Sequence, residues 1–336
     1  MRISVLGAGA WGTALAMGLA SRHQVVLYAR DAVQAASMRS TGRNQRYLPD
    51  VTLPGNLQVT ASLDEAMQES ELAILAVPVA GLRSTVTQLR PYLGQQSNVG
   101  VLWLCKGFES GSMLLPHQIV QDILPPQVPC GVLSGPSFAQ EVARGLPTAV
   151  TLASANEMFA QQTALALHYS RLRVYASHDV IGVEVGGAVK NVLAIAAGIS
   201  DGMGLGYNAR AALIARGLNE INRLGMRLGG SPETLAGLSG AGDLILTCTG
   251  DLSRNRKVGL LLAQQHSLDD ILHRLGHVAE GVYTVREIYR LAQHLGVSMP
   301  ICAAVHRIVY EHVPVTAVVD DLLNRSPNWE FENLSA

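Results

Sequence analysis

A glycine-rich turn between a short apolar strand and a helix constrains the fold of this chain most. Residues 3–6 are predicted to form a buried strand, and the turn that follows has G-x-G-x-x-G spacing at Gly7, Gly9 and Gly12 before a predicted helix over 13–21. Glycines at this spacing permit a tight turn, close approach of a pyrophosphate to the backbone, and close packing of helix on strand. Free backbone N–H groups at the positive end of the helix dipole favour phosphate there. The pattern therefore predicts a dinucleotide site of the Rossmann type.

The residues after the second predicted strand bear on which dinucleotide is bound. That strand covers residues 24–28 and ends where the ribose 2′ position is expected, and the chain continues with Ala29-Arg30-Asp31. NAD-selective sites usually place a carboxylate there, whereas an arginine such as Arg30 can pair with a 2′-phosphate. Asp31 is predicted to cap the next helix, although it can instead turn to the ribose. The sequence thus favours NADP and leaves NAD open.

Strands alternate with helices over the first half of the chain. Further strands are predicted at residues 72–77, 99–104, 131–133, 148–152 and 172–175. Such alternation predicts right-handed βαβ units and a mostly parallel sheet, with ligands bound where the strands end. Lys106 directly follows an apolar strand, so it is expected at that edge, where it would meet cofactor or substrate; a solvated surface lysine is the alternative. The alternation stops near Ser177, which predicts one domain over 1–178 and another over 179–336.

The segment 134–143 follows another strand and offers groups to a ligand. Gly135 and Pro136 predict a turn, and a helix is expected to begin by Ser137. Such a helix presents backbone N–H groups and a hydroxyl to whatever lies opposite. The segment alone is also compatible with an ordinary capped helix.

From residue 179 onward apolar residues recur at helical spacing, and Lys190 is the one lysine in such a run of mostly small and apolar residues, 183–198. Gly186, Gly187, Ala194 and Ala197 lie three, four or seven positions away, so little side-chain bulk surrounds the amine. Burial lowers the pKa of an amine towards neutrality, where it can exchange protons. The alternative is a lysine that reaches water while the glycines serve helix packing.

Three further segments of the second half carry polar groups. The glycine-rich elbow 237–247 contains one carboxylate, Asp243, which can cap a helix or be brought against a buried lysine. At residues 253–257, Ser253 is predicted to cap a helix whose first turn contains Arg254, Asn255 and two more cations. Cations are unfavourable at that end of a helix, so a bound phosphate is favoured over a solvated basic patch. Glu280 opens another helix, where it either contacts a nucleotide or acts as a cap.

Composition limits the function classes. The 336 residues are 48% hydrophobic and 15% charged with a formal net charge of -1, as in a globular protein with no general attraction to nucleic acid or anionic membranes. Lys190 and Asn191 interrupt the longest apolar run, so no integral membrane association is expected. The scattered cysteines indicate neither a metal site nor disulfides and favour a reducing cytoplasm. They are Cys105, Cys130, Cys248 and Cys302.

These motifs, taken in order, resemble those of the bacterial NAD(P)-dependent glycerol-3-phosphate dehydrogenases over nearly the full chain. They are the segments 7–16, 106–107, 134–139, 189–191, 240–243 and 253–255. The resemblance implies a Rossmann-type domain followed by an all-α domain of the 6-phosphogluconate dehydrogenase C-terminal type. It also implies reversible reduction of dihydroxyacetone phosphate to sn-glycerol 3-phosphate with NADP or NAD, which supplies phospholipid synthesis in the cytoplasm. A homodimer is left open.

The resemblance also implies roles for single residues. Lys190 takes the position of the proton-exchanging lysine. The substrate positions are Lys106, Gly135, Ser137, Lys190, Asp243, Ser253, Arg254 and Asn255. The nucleotide positions are Trp11, Thr13, Arg30, Lys106, Ala139, Arg254, Val278 and Glu280, beside the three glycines of the turn. One departure is Ala10-Trp11, where some members have serine and another aromatic residue.

Two alternatives remain at this point. The Gly-Gly-x-x-Lys-Asn pattern around Lys190 also resembles that of 3-hydroxyacid dehydrogenases, whose substrates carry a carboxylate. A protein of another class, a nucleotide-sensing module, would bind NAD(P) without chemistry. Such a module has no use for a desolvated lysine beside an anion site, so an enzyme is the favoured prediction.

Overall fold

The computed structural model describes residues 1–93, 99–276 and 279–326. The predicted nucleotide contact Val278 lies outside these residues. The strands are β1 Arg2–Leu6, β2 Gln24–Tyr28, β3 Arg43–Asn44, β4 Leu48–Thr52, β5 Gln58–Thr60, β6 Leu72–Leu75, β7 Gly100–Trp103, β8 Cys130–Ser134, β9 Thr148–Ala153 and β10 Leu172–Ser177. The helices of the first half are α1 Ala10–Leu19, α2 Ala32–Thr41, α3 Leu63–Met67, α4 Val79–Leu89, α5 Pro116–Ile123, α6 Ala139–Ala143 and α7 Glu157–Leu167. Those of the second half are α8 Val180–Gly202, α9 Gly206–Arg227, α10 Pro232–Ala236, α11 Asp243–Thr249, α12 Arg254–Ala263, α13 Leu268–Leu275, α14 Glu280–Leu295, α15 Pro300–Tyr310 and α16 Val315–Leu323.

An eight-stranded sheet forms the first half, in the order β10-β9-β8-β7-β6-β1-β2-β5. Neighbouring strands are parallel except β8 and β9, which are antiparallel. The predicted mostly parallel sheet is therefore confirmed. All four residues of β6 are buried, as expected for a strand covered by helices on both faces. Because β1, β6, β7 and β8 lie side by side and run the same way, the loops after them meet at one edge.

A small hairpin of β3 and β4 was not predicted from the sequence. It is polar, contains Pro49, and has an irregular register between Arg43 and Asn44, so it lacks the alternation that marks a strand. Asn44 is nevertheless completely buried. Its Nδ2 donates to the carbonyl of Ala8 at 2.9 Å and to Oγ1 of Thr13 at 2.8 Å. The hairpin therefore supports the glycine turn from behind.

The second half is helical and is built around α8. The sheet ends at Ser177, and α8 begins at Val180 with Asp179 as its cap, whose carboxylate accepts the N–H of Gly182 at 2.7 Å. Every residue from 182 to 200 is buried, and α9, α11, α12, α14 and α15 pack around the helix. Close packing needs small residues, since a Cβ at Gly198 would lie 2.0 Å from the carbonyl oxygen of Arg256. Although α8 is long and apolar enough to cross a membrane, 89% of its apolar window is buried inside the protein, as in the core helix of a globular domain.

Candidate active site

Lys190 lies in the middle of α8 and is buried, with 7% of its surface exposed. Its Nζ donates to Oδ1 of Asp243 at 2.6 Å and to Oγ1 of Thr247 at 3.0 Å. Asp243 and Thr247 are one turn apart on α11, so both face the same side. Burial lowers the pKa of Lys190 to about 8; the Asp243 carboxylate opposes this shift and the Lys106 ammonium adds to it. At this pKa the amine can give or take a proton near neutral pH.

Asp243 joins two lysines from different parts of the fold. Its Oδ2 accepts from Nζ of Lys106 at 2.6 Å, while Oδ1 accepts from Lys190. Burial by itself would raise the pKa of Asp243, but the two ammonium groups lower it below its usual value. One carboxylate between two ammonium groups leaves a net positive charge, which suits an oxygen that becomes negative during a reaction.

Gly186 and Gly187 allow other parts of the chain to approach α8 closely. A Cβ at Gly186 would lie 2.7 Å from the carbonyl oxygen of Ser239, in the elbow before α11. A Cβ at Gly187 would lie 3.0 Å from Oγ of Ser134 and 3.4 Å from Cγ of Lys106. These glycines let the elbow and the aliphatic stem of Lys106 pack against α8.

Gly135 and Ser137 lie beside Lys106 at the end of β8. The carbonyl of Gly135 accepts from Nζ of Lys106 at 3.2 Å and from Oγ of Ser137 at 3.0 Å. Gly135 has φ +144°, and a Cβ there would lie 3.0 Å from Cα of Val150, so the turn requires glycine. Helix α6 begins at Ala139, two residues later than predicted, because Ser137 bonds back into this turn.

The N-terminus of α12 brings together Ser253, Arg254 and Asn255. Ser253 caps the helix by accepting the N–H of Arg256 at 3.2 Å, as predicted. Arg254 is exposed. Asn255 is buried, donates from Nδ2 to Oδ1 of Asn191 at 2.9 Å, and accepts the N–H of Gly281 at 3.1 Å. Asn255 thus links α8, α12 and α14, and Arg254 is the group of this trio most open to a ligand.

The sequence suggested that three cations at the N-terminus of α12 require a bound anion. In the structure, one of these cations already has protein partners. Arg256 is paired with protein carboxylates, at 2.7 Å from Asp201 and 2.9 Å from Asp251. Sequence spacing could not reveal the Asp201 pair, because Asp201 lies 55 residues away at the end of α8; Asp251 lies five residues before Arg256. Arg254 and Lys257 are the exposed cations of the turn.

The glycine turn after β1 has the shape that a pyrophosphate needs. Gly7 has φ +120°, and a Cβ at Gly12 would lie 2.1 Å from the carbonyl oxygen of Gly7. A Cβ at Gly9, by contrast, would meet nothing within 4 Å, so the backbone is open to a ligand there. No side chain of the described residues caps α1, which leaves its first N–H groups available for phosphate. These residues fit a dinucleotide.

The remaining predicted nucleotide residues differ in their surroundings. Trp11 and Ala139 pack in one small apolar cluster between α1 and α6, and Arg30 is exposed after β2. Asp31 caps α2, accepting the N–H of Val33 at 2.9 Å, which confirms that prediction. Thr13 is completely buried and its hydroxyl accepts a hydrogen bond from Asn44. Its side chain therefore takes part in the hydrogen bonds that support the glycine turn.

Glu280 is the first residue of α14 and lies near charged groups of both halves of the molecule. Burial raises the pKa of Glu280, and the positive charges of Arg254, Lys106 and Lys190 oppose that shift. The backbone of Val79, at the start of α4, also opposes the rise in this pKa. Glu280 therefore lies between the sheet edge and the N-terminus of α12.

Sequence reasoning assigned no role to three residues that the structure places at the site. Thr247 binds Lys190, Asn191 binds Asn255, and Asn44 supports the glycine turn. The four-residue spacing of Asp243 and Thr247 on one helix was the available signal for Thr247. No local sequence pattern identifies Asn44, because its hydrogen-bond partners lie far from it in the sequence. Within 1–93, 99–276 and 279–326, no group of three or more histidine, cysteine, aspartate or glutamate side chains could hold a metal ion.

Comparison with known proteins agrees with this arrangement. Residues 2–160 match the family model for the N-terminus of NAD-dependent glycerol-3-phosphate dehydrogenase, and residues 179–320 match the model for its C-terminus. A protein of Nitrosomonas europaea named glycerol-3-phosphate dehydrogenase [NAD(P)+] is 55% identical over 332 residues, which are 99% of this chain and 100% of that protein. The chain belongs to the NAD(P)-dependent glycerol-3-phosphate dehydrogenase family.

Other members of the glycerol-3-phosphate dehydrogenase family match as completely. The protein of that name from Thiobacillus denitrificans is 56% identical over 333 residues, or 98% of this chain and 100% of its own length. The crystal structure of glycerol-3-phosphate dehydrogenase from Coxiella burnetii has a TM-score of 0.92 at 42% identity, and the match covers 96% of this chain and 99% of that one. The Rossmann-type half and the helical half are therefore both features of this family.

Proposed function

We propose that this protein catalyses the reversible reduction of dihydroxyacetone phosphate to sn-glycerol 3-phosphate with NADPH or NADH. The proposal rests mainly on the hydrogen bonds that Asp243 accepts from Lys106 and Lys190. These bonds place the buried amine of Lys190, with a pKa of about 8, beside the positive charge of Lys106. Membership of the family supports the choice of a phosphorylated ketone over a 3-hydroxyacid and of an enzyme over a nucleotide-sensing module.

Lys190 is the proposed acid and base. A bound nicotinamide supplies the hydride for reduction or accepts it in the reverse reaction. Protonated Lys190 gives its proton to the carbonyl oxygen as that oxygen becomes an alkoxide, and neutral Lys190 takes the alcohol proton in the reverse direction. Asp243 keeps the amine in place, and the Lys106 ammonium adds positive charge near the same oxygen.

Arg254 is proposed to bind the substrate phosphate at the N-terminus of α12. The helix dipole and the guanidinium both favour an anion there, while Ser253 and Asn255 hold the turn through their own hydrogen bonds. Gly135 and Ser137 complete the proposed substrate side next to Lys106. Fixing the phosphate orients the carbonyl towards Lys190, which is a contribution from positioning.

The dinucleotide is proposed to lie along the sheet edge. Its pyrophosphate would lie over Gly9 at the open start of α1, with Trp11 and Ala139 alongside. Exposed Arg30 would pair with the 2′-phosphate of NADP, while Asp31 is engaged as a helix cap. Glu280 would face the nucleotide from α14. This arrangement favours NADP without excluding NAD.

The setting of the enzyme is a further part of the proposal. We place the domain boundary between residues 178 and 179, in the short link from β10 to α8. A cytoplasmic location and a role in supplying glycerol 3-phosphate to phospholipid synthesis are also proposed, as the resemblance to the family implies. A homodimer is also proposed, and size-exclusion chromatography with light scattering would test it.

One spectrophotometric experiment tests the function. Purified protein is mixed with NADPH, and then with NADH, in the presence of dihydroxyacetone phosphate, unphosphorylated dihydroxyacetone, or a small 3-oxoacid. Rapid oxidation only with the phosphorylated ketone is expected, because the unphosphorylated ketone lacks the group that Arg254 binds. Oxidation with the 3-oxoacid alone, or none with any substrate, would refute the proposal.

A further inference from the structure

A buried carboxylate outside the reacting groups ties the two halves of the molecule together. Glu184 lies on α8 with 3% of its surface exposed. Its Oε1 accepts from Nε1 of Trp103 at 2.8 Å and from the backbone N–H of His117 at 2.9 Å. Its Oε2 lies 2.5 Å from Nδ1 of His117. Both partners belong to the sheet half of the protein, so each of these bonds crosses between the halves.

The donors that Glu184 binds are well placed to hold a helix in position. Trp103 is the last residue of β7, and its side chain is buried. His117 is in the first turn of α5, where backbone N–H groups lack partners within their own helix. Unpaired burial of a carboxylate is costly, so moving Glu184 away from these donors is unfavourable. The contact therefore resists sliding of α8 along the end of β7.

The two segments joined by Glu184 also carry the two lysines of the site. Lys106 follows Trp103 by three residues, which span at most about 10 Å of chain. Lys190 follows Glu184 by six helical residues, which rise about 9 Å. Only a short stretch of each segment therefore separates the Trp103 contact from the Asp243 bridge. Midway, Gly187 packs against the stem of Lys106.

We infer that Glu184 is a positioning residue for Lys190: its bonds to Trp103 and His117 set the register of α8 against the segment that carries Lys106. The inference rests on the proposed reaction for its kinetic consequences. Without these bonds, Lys190 loses its fixed place relative to Lys106 and to the sheet edge. Among the described residues, Glu184 hydrogen-bonds to Trp103 and His117 and to neither lysine, so its proposed effect on Lys190 is through position alone.

The chain offers a matched control for loss of a buried carboxylate. Glu220 on α9 is 1% exposed and accepts the backbone N–H groups of Ile301 at 2.5 Å and Cys302 at 3.1 Å, at the start of α15. It resembles Glu184 in burial and in capping a neighbouring helix, but all its partners lie in the helical half. Replacing Glu220 should lower Tm without changing the register of the lysines.

Kinetics of purified variants form the first part of the test. Glu184→Ala is expected to lower kcat at least about tenfold, since small displacements of reacting groups are costly, while the Kd for NADPH changes less than about twofold. Glu184→Gln should retain most of kcat, because its amide oxygen can accept from Trp103 and the His117 N–H while its NH₂ donates to Nδ1 of neutral His117. Glu220→Ala should lower Tm and leave kcat within about twofold of the unmodified protein, since it lies outside the site.

Amine labelling provides a second measurement that needs no substrate. The chain has three lysines, Lys106, Lys190 and Lys257, of which Lys257 is exposed and serves as the reference. Trace acetylation with acetic anhydride, quantified by mass spectrometry, should be slow at Lys190 in the unmodified protein. The ratio of Lys190 to Lys257 labelling should rise severalfold in Glu184→Ala but not in Glu184→Gln or Glu220→Ala.

The outcomes are distinct. If the unmodified protein fails to reduce dihydroxyacetone phosphate, the proposed function is wrong, and labelling alone decides the register inference. If Glu184→Ala matches Glu220→Ala in kcat and in Lys190 labelling, Glu184 is only a stabilising residue and the inference is overturned. If Glu184→Ala does not fold, His117→Ala, at a partly exposed position, is compared with Glu220→Ala in the same way. A smaller fall in kcat and a smaller rise in Lys190 labelling are then expected. No change in either quantity would overturn the inference.

Discussion

The Nζ of Lys190 lies 2.6 Å from Oδ1 of Asp243, although 53 residues separate the two along the chain. The same carboxylate binds Lys106, so one residue of the helical half holds both amines at the carboxyl edge of the sheet. This arrangement fixes the protonation behaviour of Lys190. Burial lowers its pKa to about 8, whereas Asp243 keeps the pKa from falling further.

The two directions of the reaction should respond oppositely to pH. Reduction needs protonated Lys190, so kcat for dihydroxyacetone phosphate should be steady below neutral pH and fall as pH rises through about 8. Oxidation needs the neutral amine, so kcat for glycerol 3-phosphate should rise through the same range. Profiles of kcat in both directions, with saturating nucleotide, check this. Parallel profiles in the two directions would contradict a proton-exchanging role for Lys190.

Asp243→Asn should move these profiles. The carboxylate raises the pKa of Lys190, so its removal lets burial and the Lys106 charge lower that pKa further. The fall in reductive kcat should then begin at lower pH than in the unmodified enzyme. Asp269→Asn, which changes an exposed carboxylate on α13, is the control and should leave the profile in place. A shift to higher pH in Asp243→Asn would count against the described electrostatics.

Arg254→Ala should act mainly on KM for the phosphorylated substrate. A charge-assisted hydrogen bond contributes about 1.5–3 kcal/mol, so KM should rise about ten- to a hundredfold. Lys257→Ala removes another exposed cation from the same helical turn and should have a small effect. Steady-state kinetics with varied dihydroxyacetone phosphate would show it. Equal changes in the two variants would indicate general attraction instead of a phosphate contact.

Arg30→Ala tests the cofactor assignment. Loss of the guanidinium should raise the Kd for NADPH about tenfold, because a charged partner of the 2′-phosphate is removed. The Kd for NADH, which lacks that phosphate, should change little. Fluorescence titration of both nucleotides measures the two constants. An equal effect on both would remove Arg30 from the 2′ site.

Local patterns were sufficient to predict much of the fold. The glycine turn, the apolar strand β6 and the small residues around Lys190 act on their immediate neighbours, and all three were interpreted correctly. The resemblance to a known family supplied the order of the two halves. The antiparallel pairing of β8 with β9 was not foreseen, since strand direction depends on how the chain crosses the sheet.

Long-range pairing accounts for what the sequence did not reveal at the site. Arg256 carries a positive charge at a helix N-terminus, which suggested a ligand, yet Asp201, 55 residues away in the chain, pairs with it. Asn44 supports the glycine turn from a hairpin with no clear strand signal. In the sequence, Glu184 is a polar residue within a mostly apolar helix. Its hydrogen-bond donors, Trp103 and His117, lie on β7 and α5. Such contacts become visible only once the chain is folded.

Substitution of Lys190 tests the central claim most directly. Lys190→Met removes the amine and keeps an apolar stem, with Lys257→Met as the control at an exposed lysine. Stopped-flow measurement of a single turnover, with NADPH bound and dihydroxyacetone phosphate in excess, should show hydride transfer slowed about 10²–10⁴-fold, while NADPH binds as before. A Lys190→Met enzyme that oxidises NADPH at the rate of the Lys257→Met control would contradict the account.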